Sequence, residues 1–126
     1  MRVQDAIRTH LHGGQRLLTP GRAQPFTVDR MDSDGIVLLL GRGQWPTRLT
    51  WECLEGLIPY LRDLGGEAPI GGRHQVEGNP GTLDGYLKEC IKRTTAGWVA
   101  VVLKTAAIVE VVGDRPQRVR LRAEWR

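Results

Sequence analysis

The chain has 126 residues, of which 40% are hydrophobic and 25% are charged, and its formal net charge is +4. This length suits one compact domain, and the composition is typical of a soluble globular protein. No run approaches the roughly 18 apolar residues of a membrane-spanning helix, and the amino terminus lacks the apolar segment of a secretory signal. We therefore expect a cytoplasmic protein that does not enter the membrane.

The first fifty residues predict a helix followed by a small antiparallel sheet. In Val3–His12 the apolar residues recur at spacings of three and four, which predicts a short amphipathic helix. Residues 26–31, 36–40 and 47–50 have the composition of strands and are separated by turn residues, so they predict a β-meander. The run at 36–40 is wholly apolar, which indicates a strand that is covered on both faces.

The turn between the first two of these strands contains two aspartates, which raises the possibility of a calcium loop. An EF-hand loop needs carboxylates at its first and twelfth positions, and these positions hold Arg30 and Gly41. We therefore predict an ordinary hairpin turn and no metal site.

A second helix is predicted after the sheet. Thr50 is a good N-cap, and a leucine-rich stripe continues from residue 51 to Leu64. Pro59 lies inside this stripe and predicts a kinked helix or two short ones. Residues 65–81 are rich in glycine and predict a loop, with a short strand at 68–70.

Residues 82–107 predict two helices joined by a tight turn. Thr82 would cap the first helix, and either Thr94 or Thr95 would cap the second, which runs to about Ala107. The inner stripe of the second helix would consist of Val99, Val102, Leu103 and Ala106.

A β-hairpin is predicted after these helices, with strands at 108–112 and 118–122. A five-residue loop sets Val111 against Val119 and Glu110 against Arg120, whereas a four-residue loop would mix valines and arginines on one face. The longer loop therefore predicts an outward row formed by Arg118, Arg120 and Arg122.

The order of elements over residues 50–122 is helix, strand, helix, helix, strand, strand, and it resembles a winged helix-turn-helix domain. The resemblance implies that residues 94–105 are the recognition helix and that residues 113–117 are the tip of the wing. We expect an α+β fold in which a small antiparallel sheet with an N-terminal helix (residues 1–49) packs on a winged-helix-like module (residues 50–126) as one unit.

The positive charge falls entirely on the last third of the chain. Residues 1–81 contain nine arginines against nine acidic residues, whereas residues 82–126 contain nine lysines and arginines against five acidic residues. A basic excess confined to one module is what a surface that contacts phosphates requires.

The resemblance assigns candidate contacts to the second helix, the turn before it, the preceding helix and the wing. The second helix carries few of the side chains that pair with base edges, so phosphate contacts are expected to dominate. The predicted nucleic-acid-binding residues are Lys88, Lys92, Arg93, Thr94, Thr95, Trp98, Lys104, Arg115, Arg118 and Arg120.

The leading hypothesis is a small non-catalytic nucleic-acid-binding protein, with duplex DNA favoured over RNA. The alternative is a protein-interaction or homodimerisation module, in which Trp98 or Trp125 is buried against a partner. An enzyme such as a small nuclease is a third hypothesis, but the sequence contains no carboxylate constellation or nucleophile motif to support it.

No cofactor, metal or small-molecule ligand is expected. Cys53 and Cys90 are the only cysteines, and in a reducing compartment we expect both to be buried thiols rather than a bridge.

Overall fold

The computed structural model describes residues 2–19, 23–71, 80–91, 93 and 95–126, which form an α+β fold with two antiparallel sheets. This confirms the predicted fold class and the N-terminal helix. The elements in chain order are α1 (Val3–His10), β1 (Arg16–Leu18), β2 (Pro25–Met31), β3 (Gly35–Leu40), β4 (Trp45–Thr50), α2 (Trp51–Asp63), β5 (Glu67–Pro69), α3 (Leu83–Ile91), α4 (Ala96–Thr105), β6 (Val109–Val112) and β7 (Arg118–Leu121), followed by a short 3-10 turn at Ala123–Trp125.

The N-terminal sheet is the predicted meander with one additional strand. Its order is β1-β2-β3-β4, and all three pairings are antiparallel. Five of the six residues of β3 are buried, as expected for a strand covered on both faces. The first residue of this strand is Gly35. Only glycine fits there, because the carbonyl oxygen of Leu49 occupies the space that a Cβ atom would need.

The helix α2 is continuous through Pro59, so of the two predicted alternatives the single helix is found and the pair of short helices is wrong. Pro59 lies on the exposed side of the helix, where water can satisfy the carbonyl group of Glu55 that loses its partner. The predicted cap is confirmed, since the hydroxyl of Thr50 accepts a hydrogen bond from the N–H of Cys53 at 3.1 Å. Leu64 follows the helix and is 40% exposed, so it does not extend the buried stripe.

The C-terminal sheet has the order β5-β7-β6. Its hairpin has the predicted five-residue loop, because Val111 pairs with Val119 and Glu110 pairs with Arg120. The valine and the leucine of β7, Val119 and Leu121, face the core and are fully buried.

The helix α4 lies at the centre of the molecule. It packs against α1, α3, β1 and β6, so it contacts both the N-terminal and the C-terminal part of the chain. The predicted inner stripe is buried, and Ala96, Ala100 and Val101 are buried as well. The preceding helix α3 has the predicted cap, since the hydroxyl of Thr82 accepts from the N–H of Gly85 at 2.9 Å.

The two cysteines form a disulfide bond, which corrects the expectation of free thiols. Cys53 lies in the first turn of α2 and Cys90 in the last turn of α3, and their Cα atoms are 6.1 Å apart. The bond therefore joins two helices that are 37 residues apart in sequence. No helix in the described part of the chain has the length and apolarity of a membrane span.

Candidate nucleic-acid interface

The outer face of the C-terminal sheet carries the predicted arginine row. Because side chains alternate along β7, Arg118 and Arg120 point away from the core that buries Val119 and Leu121. Arg122 continues the alternation and is exposed, and Arg115 is exposed at the tip of the hairpin. Three of these four arginines were predicted contacts, and Arg122 was predicted only as a member of the row.

A carboxylate lies within this arginine row. Glu67 on β5 places one oxygen 3.5 Å from Nε of Arg118 and 3.3 Å from Nη2 of Arg120. All three side chains are between 32% and 43% exposed, so water screens the pairs and each contributes little to stability. Glu67 nevertheless neutralises part of the charge that a phosphate would meet.

The predicted contact at Lys88 lies in a different environment. Its ammonium group is 3.0 Å from Oδ2 of Asp84, and the two side chains are only 10% and 4% exposed. The pair joins two residues of α3, and the lysine side chain is almost entirely covered by the protein. It offers little charge to a ligand at the surface.

The candidates on α4 and directly before it are unequally exposed. Arg93 and Lys104 are exposed, Trp98 is half-buried, and Thr95 is only 2% exposed. The predicted contacts Lys92 and Thr94 lie outside the described residues.

Thr95 occupies the N-cap position of α4, but its side chain makes no capping hydrogen bond. Its hydroxyl oxygen is buried and has no hydrogen-bond partner among the described residues. A buried polar group without a partner costs about 1–3 kcal/mol, so this hydroxyl is a site where an added acceptor or donor would be favourable. The predicted capping role of Thr95 is therefore wrong for its side chain.

A cleft of about 430 Å³ lies between the β3–β4 turn and the start of α4. Trp45 and Trp98 line it together with Arg93 and Thr95. Trp45 is 65% exposed, which is unusual for so large an apolar side chain. The guanidinium of Arg93 reaches the N-terminal sheet here, with Nη1 3.5 Å from the hydroxyl of Thr47.

Sequence reasoning missed Trp45 as a candidate. The available signal was its position directly after Gly41-Arg42-Gly43-Gln44, a turn sequence that predicts an exposed loop. The two tryptophans outside the cleft, Trp51 and Trp125, have internal roles. Trp51 is 6% exposed and stacks under Arg8, whose guanidinium carbon is 5.3 Å from the ring centroid. Trp125 packs within the chain's own core and is 8% exposed. Little of its side chain is therefore left to bury against a partner.

A second cleft of about 510 Å³ lies between α1, α2 and the carboxyl-terminal turn. Its charged lining residues are of both signs and include Arg2, Glu55, Arg62 and Glu124. Glu55 accepts a hydrogen bond from the N–H of Val3, and Arg62 donates to the carbonyl of Trp125 at 2.9 Å. These contacts hold the two termini against α2, and we assign the cleft a structural role.

Within the described ranges, no group of three histidine, cysteine or acidic side chains is arranged to hold a metal ion. The acidic turn after β2 instead binds an arginine, since Asp32 accepts from Nη1 of Arg48 at 2.6 Å.

No protein-family model matches this sequence. Comparison with curated proteins and with solved structures likewise finds no significant match.

Proposed function

We propose that this protein binds nucleic acid, mainly through phosphates, with the C-terminal module acting as a winged helix-turn-helix domain. The observation that carries the proposal is the alternation along β7, where buried apolar residues on one face leave a row of arginines on the other. Duplex DNA is the preferred partner, because a regular row of cations beside an exposed hairpin tip suits a regular row of phosphates.

The order of the elements and the sheet order β5-β7-β6 support the winged-helix assignment by analogy. Fold analogy does not establish function, so the charges carry the argument. Arg93, Lys104, Arg115 and Arg122 are exposed, and no acidic partner in the described part of the chain is paired with them. These four side chains are the principal phosphate contacts in this proposal.

The burial of α4 changes how such a domain would work. A recognition helix reads bases with side chains that project from its exposed face. In α4, Lys104 is the exposed residue and Trp98 is half-buried. We therefore expect affinity that depends on salt and only weakly on base sequence.

Homodimerisation is the alternative function. The apolar side chains of α4 pack inside the chain's own core, which leaves Trp45, Leu18 and Leu64 as the large exposed apolar residues in the described ranges, 65%, 57% and 40% exposed. A dimer would depend on one or more of these residues. Sedimentation of the wild-type protein and of Leu18→Ala tests this alternative directly.

The test of the main proposal is the binding of a labelled random duplex, measured by fluorescence anisotropy. The double variant Arg115→Ala/Arg122→Ala should bind more weakly than the wild type. The control Arg2→Ala/Arg16→Ala removes the same charge from exposed positions of the N-terminal part, and it should bind as the wild type does. Equal losses in both variants would mean that net charge alone determines binding, which would contradict a phosphate-binding wing.

A further inference from the structure

The cleft between the β3–β4 turn and α4 combines four features of a ligand site. Its volume of about 430 Å³ is in the range of small-molecule pockets. Its lining contains two tryptophans, an exposed arginine and a buried threonine whose hydroxyl has no partner in the described part of the chain. No acidic residue is found among the described residues that line it.

We propose that this cleft binds a single unstacked nucleotide, with the base against Trp45 and Trp98 and the phosphate on Arg93. The proposal rests in part on the proposed function, since a nucleic-acid strand is one source of such a nucleotide. A free mononucleotide presents the same base and phosphate and is the other source. The experiment below distinguishes the two.

The aromatic part of the argument comes from Trp45. The indole of Trp45 is 65% exposed, so a ligand can cover it without displacing many contacts within the protein. A base has a flat apolar face that can provide this cover. Trp98 lines the same cleft from the first turn of α4 and is half-buried, so its ring is held by the core while part of it remains open. Stacking of a base on such side chains is tolerant of base identity.

The anionic part of the argument comes from the start of α4. Arg93 contributes a full positive charge, and its hydrogen bond to the neutral hydroxyl of Thr47 is long, at 3.5 Å. The amino-terminal end of a helix of ten residues adds the partial positive charge of the helix dipole. Thr95 lies at this end, 2% exposed, and its hydroxyl has no partner among the residues that the structure describes. These groups together favour a phosphate over a neutral ligand.

Binding of a labelled short oligothymidylate tests the proposal, since thymidine strands form little structure of their own. Trp45→Ala should weaken this binding by about tenfold or more, because one stacking platform is lost. Trp45→Phe should restore most of the affinity. Arg93→Ala should weaken binding as well, whereas Arg42→Ala, an exposed arginine of the neighbouring turn that does not line the cleft, should not. Wild-type affinity in Trp45→Ala would overturn the proposal.

Competition identifies the ligand. Thymidine 5'-monophosphate should displace the labelled strand, while thymidine and inorganic phosphate should each require much higher concentrations. Failure of the mononucleotide to compete would overturn the proposal. Displacement at concentrations similar to those of the strand would identify a free nucleotide as a sufficient ligand.

The duplex measurements separate this proposal from the proposed function. Trp45→Ala should retain duplex binding, and Arg115→Ala/Arg122→Ala should retain binding of the mononucleotide. If the duplex does not bind but the mononucleotide does, the cleft proposal stands and the wing proposal fails. If the duplex binds, but Trp45→Ala changes the binding of neither the oligothymidylate nor the mononucleotide, the wing proposal stands and the cleft proposal fails.

Discussion

The carboxylate of Glu67 lies 3.3 Å from Nη2 of Arg120, and this contact crosses from β5 to β7 on the outer face of the C-terminal sheet. The same carboxylate oxygen is 3.5 Å from Arg118. Two arginines of the proposed phosphate surface thus share one acidic partner. Because both pairs are exposed to water, a phosphate could replace Glu67 at little cost.

This relationship gives a first prediction. Glu67→Gln should increase the affinity for duplex DNA and steepen the dependence of log K on log salt by about 0.9, which corresponds to one additional phosphate contact. Stability should change by less than about 1 kcal/mol. The control is Glu52→Gln, which removes an exposed carboxylate from α2. If Glu52→Gln strengthens binding as much as Glu67→Gln does, the effect is one of net charge and not of the arginine row.

The disulfide between Cys53 and Cys90 predicts a stability that depends on redox conditions. A crosslink that closes a loop of this size typically contributes about 2–4 kcal/mol, chiefly by restricting the unfolded chain. Urea unfolding should therefore show a lower midpoint in dithiothreitol. The double variant Cys53→Ser/Cys90→Ser should resemble the reduced protein and should not respond to dithiothreitol. A response of the double variant to the reductant would show that the shift has another cause.

Gly56 and Tyr86 predict a reversal of the usual effect of replacing glycine in a helix. A Cβ atom on Gly56 would meet the hydroxyl of Tyr86, which donates to the carbonyl of Cys53 at 2.7 Å. Gly56→Ala should therefore destabilise the protein, although alanine is favoured in helices by about 1 kcal/mol. In a Tyr86→Phe background the obstructing hydroxyl is gone, and Gly56→Ala should become neutral or stabilising.

A double-mutant cycle from urea unfolding measures this coupling. Stabilisation by Gly56→Ala in both backgrounds would contradict the close approach of the tyrosine hydroxyl.

Asp32 predicts a loss of stability in acid. The hydrogen bond from Arg48 and the N–H of Asp34 hold the pKa of the Asp32 carboxyl well below its ordinary value of 3.8. A group with a lowered pKa in the folded state stabilises the protein above its ordinary pKa and ceases to do so as the pH falls toward the lowered value. Asp32→Asn should therefore reduce the urea midpoint at pH near neutrality, and the difference from the wild type should shrink below pH 3.8. A difference that is constant with pH would contradict the ion pair.

Local patterns were sufficient to predict most of the fold. The hairpin register followed from the alternation of valine and arginine, because only one loop length keeps the valines together on the core face. The caps at Thr50 and Thr82 were likewise predicted from residue type and position. The sequence left open whether Pro59 splits α2, because the outcome depends on which side of the helix faces water.

The candidate site was harder to predict because it depends on contacts between distant segments. Thr95 at the start of α4 is buried within the fold, although a helix in isolation would expose it. The pairing of Cys53 with Cys90 requires the packing of α2 against α3. Trp45 lines a cleft only because the β3–β4 turn lies beside the start of α4 in the folded chain. None of these relationships follows from periodicity.

The salt dependence of duplex binding tests the central claim most directly. If Arg93, Lys104, Arg115 and Arg122 each neutralise a phosphate, log K should fall against log salt with a slope of about −3.6 between about 50 and 200 mM salt. Arg115→Ala/Arg122→Ala should reduce this slope by about half. Absence of binding at the lowest salt, or a slope that the variant leaves unchanged, would contradict the proposal that this module binds nucleic acid through its wing.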